Sequence, residues 1–150
     1  MNKRQHRKIA GFTLIEVLVA LVVMTVGMLG VAVLYVEGLR LNRTSLYRTT
    51  AVALAADMAE RIRTNQDAAY AGTGPGADGN CDIANCTADQ LADEDWWHWR
   101  RALNAYLPNG YTAEIDRTPV GPGMNRFDIS LSWPEIGRPD PAAYTLTLQL

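Results

Sequence analysis

Three patterns of hydrophobic and polar positions succeed one another along the chain. From Phe12 to Val36 one charge, Glu16, interrupts 25 otherwise uncharged and mostly apolar residues. About 20 apolar residues suffice to span a bilayer as a helix. Residues 37–64, EGLRLNRTSLYRTTAVALAADMAERIRT, contain no proline and are rich in helix-favouring alanine, leucine and arginine. There Leu54, Met58 and Ile62 recur every fourth position with Val52, Ala55 and Ala59 beside them, while Arg48, Asp57, Glu60 and Arg61 face elsewhere. That is an amphipathic stripe. One helix over 12–64, about 80 Å long at 1.5 Å per residue, is predicted. Its first part, 12–36, suits lipid or a fibre core, and its second part can lay one face on a head domain, residues 65–150. The third pattern is alternation: Tyr111, Ala113 and Ile115, then Phe127, Ile129, Leu131 and Trp133, then Tyr144, Leu146, Leu148 and Leu150. A period of two predicts an antiparallel sheet of three to four strands over 111–150, joined by the connections RTPVGPGMN and PEIGRPDP. The fold class expected is α+β.

Residues 65–86 read as a loop, with AGTGPGADGN its most turn-rich part. The next stretch, TADQLADEDWWHWRRALNAYLPNG, predicts a helix over about 88–107. Thr87 or Asp89 can cap it. Asp93, Glu94 and Asp95 come early and Arg100 and Arg101 later, as the macrodipole prefers. Ala92, Trp96, Trp99, Leu103 and Tyr106 share one face, and Leu107-Pro108-Asn109-Gly110 stops the helix. Trp96 and Trp99 belong to the expected core. Trp97 falls off that face and is a candidate partner contact.

Charge orients the chain. Lys3, Arg4, Arg7 and Lys8 precede the apolar run, and no lysine follows Gly11. Basic residues beside a membrane segment stay cytoplasmic, so the head is expected outside, in a periplasm or its equivalent. Net charge is −2, and without those four the balance is clearly acidic. No basic stripe announces nucleic acid. An external compartment permits disulfides, so Cys81 and Cys86, the only cysteines, are expected to pair rather than to form a C-x4-C metal site. Closing so small a ring contributes about 2 kcal/mol by loop entropy. Asp78, Asn80 and Asp82 echo a calcium loop, but Ile83 stands where that loop needs glycine, leaving calcium a weak alternative. His98 is the only histidine beyond the basic tag; alone it makes neither a triad nor a metal site. No cofactor is expected, and neither is an enzyme: no Ser/His/Asp set and no phosphate-cradling glycine loop is present.

Three readings compete for residues 1–36. A secretory signal has a shorter apolar stretch and a small-x-small cleavage site after it. A plain signal anchor fits the length but gives Glu16 no use. The third places cleavage between Gly11 and Phe12. Gly11-Phe12-Thr13-Leu14-Ile15-Glu16, behind a basic tag, resembles the class III leader of type IV pilins and type II secretion pseudopilins. The resemblance implies that residues 1–11 are a leader removed by a prepilin peptidase, that the new N-terminus on Phe12 is methylated, and that the fold is that of a pilin. It also implies that Glu16 faces the Phe12 amine of a neighbouring subunit. A lone charge at the bilayer centre costs roughly 2.5–3.5 kcal/mol on insertion scales, whereas a paired one is tolerated. The competing account is that Glu16 snorkels to the headgroups.

Gly27, Gly30 and Gly38 either permit close helix packing or let the helix bend. Many pilins have proline where this chain has Val33, so a bend here rests on glycine. Residues 51–65, AVALAADMAERIRTN, resemble the PilV-type minor pilins, also called type IV pilus modification proteins. So, more loosely, do the tryptophan-bearing middle segment, the Leu-Pro before the first strand and the Ser-Trp ending the second. The resemblance implies a minor pilin in the inner membrane and then at the pilus tip. Such a subunit joins other minor pilins and the major pilin through its N-terminal helix, primes assembly and helps present an adhesin. The I-type pseudopilins share FTLIEVLVAL and a similar size, and are the alternative.

Overall fold

A computed structural model describes residues 11–150, so the basic tag and most of the expected leader lie outside the described residues. Five elements follow in order: helix α1 (Leu14–Thr64), helix α2 (Ala88–Tyr106) and strands β1 (Thr112–Gly121), β2 (Met124–Trp133) and β3 (Ala142–Gln149). The arrangement is α+β and pilin-like. The chain divides into two compact units, Met1–Leu41 and Asn42–Leu150.

In the first unit every described residue is exposed. Its part of α1 is long and apolar enough to cross a membrane. The helix continues without interruption through Gly27, Gly30 and Gly38, and apart from the adjoining helix backbone no atom of the described residues lies within 4 Å of where a Cβ would stand at any of them. Thr25 turns its hydroxyl back to the Val22 carbonyl at 2.9 Å, so it presents no free donor to an apolar surrounding.

The second unit is built on a three-stranded antiparallel sheet in the order β1-β2-β3. One core holds Ala51, Ala55, Met58 and Ile62 of α1, Trp96, Trp99 and Leu103 of α2, and Ile115, Phe127, Ile129, Leu131 and Trp133 of the sheet. The predicted α1 stripe holds at Ala55, Met58, Ala59 and Ile62 and shifts only at its upstream end, where Ala51 replaces Val52 and Leu54 as the buried residue. Alanine at 51, 55 and 59 is buried, Leu54 is only half-buried and Val52 is exposed. Small side chains let the helix backbone approach the core: the Trp99 indole donates to the Leu54 carbonyl at 2.8 Å. Trp96 stacks edge-on against Trp99 at 5.2 Å.

Helix α2 starts as predicted, at Thr87, whose side chain accepts from the Gln90 N–H while Gln90 reaches back to the Thr87 N–H. Its far end differs. Tyr106 is exposed, and Leu107, the C-cap, is the buried residue there. Arg100 and Arg101 lie before the last turn, which carries no basic residue. The first strand also differs. Tyr111 precedes it, and the supposed connection RTPVGPGMN is mostly strand, leaving Pro122 and Gly123 as the turn. Gly123 takes φ +72, open to glycine without strain. Pro119 is tolerated because β1 is an outer strand, where a missing N–H breaks no central ladder.

Loop 65–86 is bound to the rest. Gly72 exchanges both backbone hydrogen bonds with Ile115, adding a bridge to the outer side of β1. Gly76 has φ +74, and a Cβ there would collide with the Asp93 carbonyl and stand 2.7 Å from Trp96 Cβ and Trp97 N. Gly76→Ala is therefore expected to destabilise the head by about 2 kcal/mol or more. The urea midpoint of the full chain in detergent checks this; an unchanged midpoint contradicts the account.

Candidate functional site

Two places concentrate the chemistry singled out from the sequence. The first is the start of α1. Phe12 is exposed, and Glu16 lies in the first helical turn, where its negative charge meets the positive end of the helix dipole. With Phe12, Val17, Ala20, Leu21 and Met24 it lines a shallow apolar groove on the helix surface. A carboxylate in such a wall has strong reason to find a cation once water is withdrawn.

The second is the face of α2 beside the cysteine loop. Cys81 and Cys86 form a disulfide, with Cα atoms 5.6 Å apart. Glu94, buried, accepts the Cys81 N–H at 2.7 Å and thereby docks the ring on α2. His98 is exposed, with Nε2 3.5 Å from the Glu94 carboxylate. Trp97 is half-buried; the Arg101 guanidinium lies 4.7 Å from its ring centre and His98 packs on its edge. Asp78, Asn80, Asp82 and Ile83 complete a depression of about 340 Å³ with these residues.

As a metal site this place is poor. Sulfur and carboxylate atoms of Cys81, Cys86 and Glu94 lie within 4.8 Å of one another, but sulfurs bonded to each other are not thiolate ligands. The Asp78 carboxylate is engaged by the Asn80 N–H. Asn80, not Ile83, is the non-glycine residue with positive φ in the described chain, so the turn made by glycine in a calcium loop is not reproduced.

Three charged groups were missed as structural residues. Asp95, read from the sequence only as an early acidic residue that the helix dipole favours, is buried. Its carboxylate accepts from the Tyr70 hydroxyl at 2.5 Å and from Arg61 at 2.7 Å, and Arg61 also holds Asp57 at 3.0 Å. Burial, and then donation to Asp95, hold the Tyr70 pKa well above its usual value. The signal was present: Asp95 sits within the apolar spacing 92, 96, 99, 103. Arg48 and Glu135 had no such signal. Glu135 is buried and receives Arg48 through Nε at 2.9 Å and Nη2 at 3.1 Å. The Arg48 hydrogen bond holds the Glu135 carboxyl below its usual 4.5.

In comparison with known families, residues 6–32 fit the prokaryotic N-terminal methylation motif. Neither a curated protein nor a solved structure matches the chain. Motif and fold together support a type IV pilin-like or pseudopilin protein. Such a motif implies processing by a prepilin peptidase and the setting of pilus or pseudopilus assembly. It is consistent with membrane anchoring through α1.

Two outcomes test the head network. Asp95→Ala leaves Tyr70 without its closest acceptor and Arg61 with Asp57 alone, and is expected to cost about 2–3 kcal/mol, less than a fully buried pair because Arg61 is one-third exposed. Tyr70→Phe should cost about 1 kcal/mol. Urea unfolding of both variants decides. For Glu135 the folded pKa is lowered, so its contribution is complete above the usual value of 4.5 and is lost as pH falls through the lower folded value. The melting temperature of Glu135→Gln should lie below that of the parent near neutrality, and the gap should close on acidification. A gap independent of pH contradicts the ion-pair account.

Proposed function

We propose that this protein is a minor pilin subunit of a type IV pilus, of the PilV type, which joins other minor pilins in a tip complex that primes assembly and helps present an adhesin. The observation that carries the reading is the leader motif at residues 6–32 followed by an apolar helix whose single early charge is Glu16. In this reading residues 1–11 are removed by cleavage between Gly11 and Phe12, and Phe12 is N-methylated. Residues 12–36 cross the inner membrane with the N-terminus cytoplasmic and later enter the fibre. Residues 65–150 form the external head, and Trp97 meets a partner. Residues 51–65 favour the PilV type over an I-type pseudopilin, which shares the leader. The protein acts by assembly rather than by catalysis.

Glu16 provides the charge that registers subunits. The Phe12 amine created by cleavage is a cation at membrane depth, and a charge left alone in low dielectric costs about 3–5 kcal/mol. Glu16→Gln keeps the size of the side chain and its hydrogen bonding but removes the charge. Intact mass of the membrane-extracted variant should still give a methylated chain beginning at Phe12. Co-isolation with other minor pilins should fall by a factor of several hundred or more, and piliation should not be rescued in a strain lacking this gene. Normal piliation and wild-type co-isolation by Glu16→Gln would leave snorkelling as the account of residue 16. A mature chain still carrying Met1, in cells with active prepilin peptidase, would remove the whole reading.

A further inference from the structure

The two outer edges of the sheet are treated very differently. At the β1 edge, Gly72 bridges Ile115, Arg117 and Pro119 interrupt the strand, and the register shifts between Pro119 and Gly121. Bridging, charge, proline and bulges are the devices by which proteins keep a sheet edge from pairing with another chain. The β3 edge has none of them. Ala142–Gln149 reads AAYTLTLQ, eight residues without charge, proline or glycine, in unbroken register with β2.

The register also says which groups this edge presents. Leu150 and Asn125 exchange both backbone hydrogen bonds, at 3.0 and 2.8 Å. In an antiparallel ladder such pairs recur every second residue. Ala142, Tyr144, Leu146 and Leu148 therefore bond to β2, and the N–H and C=O groups of Ala143, Thr145, Thr147 and Gln149 point away from the sheet. Among the described residues no backbone group pairs with these four. The Thr145 and Thr147 hydroxyls are turned inward to Ser130 and Asp128 and do not cover the edge.

Beside this edge the core face is underfilled. Tyr144 and Leu146 are only half-buried. A recess of about 220 Å³ lies between Arg48, Val52, Trp133 and Ala142–Tyr144. Trp133 is buried, yet among the described residues its indole N–H has no hydrogen-bond partner.

We propose that β3 is a docking edge for an extended, uncharged segment of another polypeptide, which adds a fourth strand to the sheet and places an apolar side chain in this recess. Main-chain hydrogen bonds supply affinity in such strand addition, and pockets for alternate side chains supply specificity. The absence of charge along β3 selects an uncharged partner strand. A second copy of this chain is a worse occupant: the inward side chains of its β3 already pack on its own core and cannot fill the recess. The inference stands on the sheet alone and is independent of the pilus reading.

The test uses the full chain in detergent micelles. The probe is a capped peptide of alternating valine and threonine, as long as β3, with paired arginines at each end for solubility. In the free protein the amides of Ala143, Thr145 and Thr147 should exchange hydrogen much faster than those of Tyr144 and Leu146. Saturating peptide should slow those three by about tenfold or more. Thr145→Pro removes an outward N–H that no ladder bond uses, so the head should stay folded while peptide affinity drops about tenfold or more. Thr145→Ala keeps that N–H and should bind as the parent does. Equal protection of outward and inward amides in the free protein would overturn the proposal, as would absence of slowing with millimolar peptide or unchanged affinity in Thr145→Pro. A concentration-dependent dimer with the same protected amides would also overturn it, by making a second copy the occupant.

Discussion

The Asp95 carboxylate ties together three stretches distant in sequence: α1 through Arg61, α2 on which it sits, and the long loop through Tyr70. The Tyr70 carbonyl in turn accepts the Trp96 indole at 2.9 Å, so the same knot orients an aromatic ring of the core. Buried, charged and fully bonded, it has few alternative arrangements. A loop of turn-forming residues could otherwise lie almost anywhere on the surface; anchored at Tyr70, it reaches Gly72 in position to bridge β1. Hydrophobic burial supplies most of the head's stability, at roughly 1.5–3 kcal/mol for each large side chain removed from water. The polar knot decides which of many apolar packings is adopted.

The N-terminal, apolar half of α1 obeys the opposite logic. Its apolar side chains are exposed and bury nothing in this chain. Such a segment is satisfied only by lipid or by like helices, and a helix is admissible there because its backbone groups are bonded within it. Glu16 is the one residue of that stretch whose cost is set by what lies beside it. In the proposed reading one chain carries two kinds of information: the head specifies its own fold, and the helix start specifies company.

The long helix, the α2 cap and all three strands were legible because each has a simple period or a local signal. The leader was legible from six residues, Gly11 to Glu16. What escaped had its cause in tertiary contacts. Alanine at 51 reads as a neutral helix former, and the approach of Trp99 to the α1 backbone at Leu54 makes this small side chain, rather than Leu54 or Val52, the buried one. The proline and glycines of RTPVGPGMN suggested a loop, yet an outer strand accommodates them. Glu135 sits at a turn and is buried with counter-charge from Arg48, far away in sequence, and from Arg138, three residues on. Asp95 was the one avoidable miss, since its place in the apolar spacing of α2 marked it as inward.

The Cys81–Cys86 ring bears on proteolysis. Ile83, at its tip, is 91% exposed, and exposed loop tips are where proteolytic nicking concentrates. A nick anywhere between the two cysteines leaves both ends covalently joined through sulfur. Glu94, which holds the Cys81 N–H against α2, keeps the upstream end docked. The nicked molecule would migrate as one species until reduced, so this exposed loop can be cut without the chain coming apart.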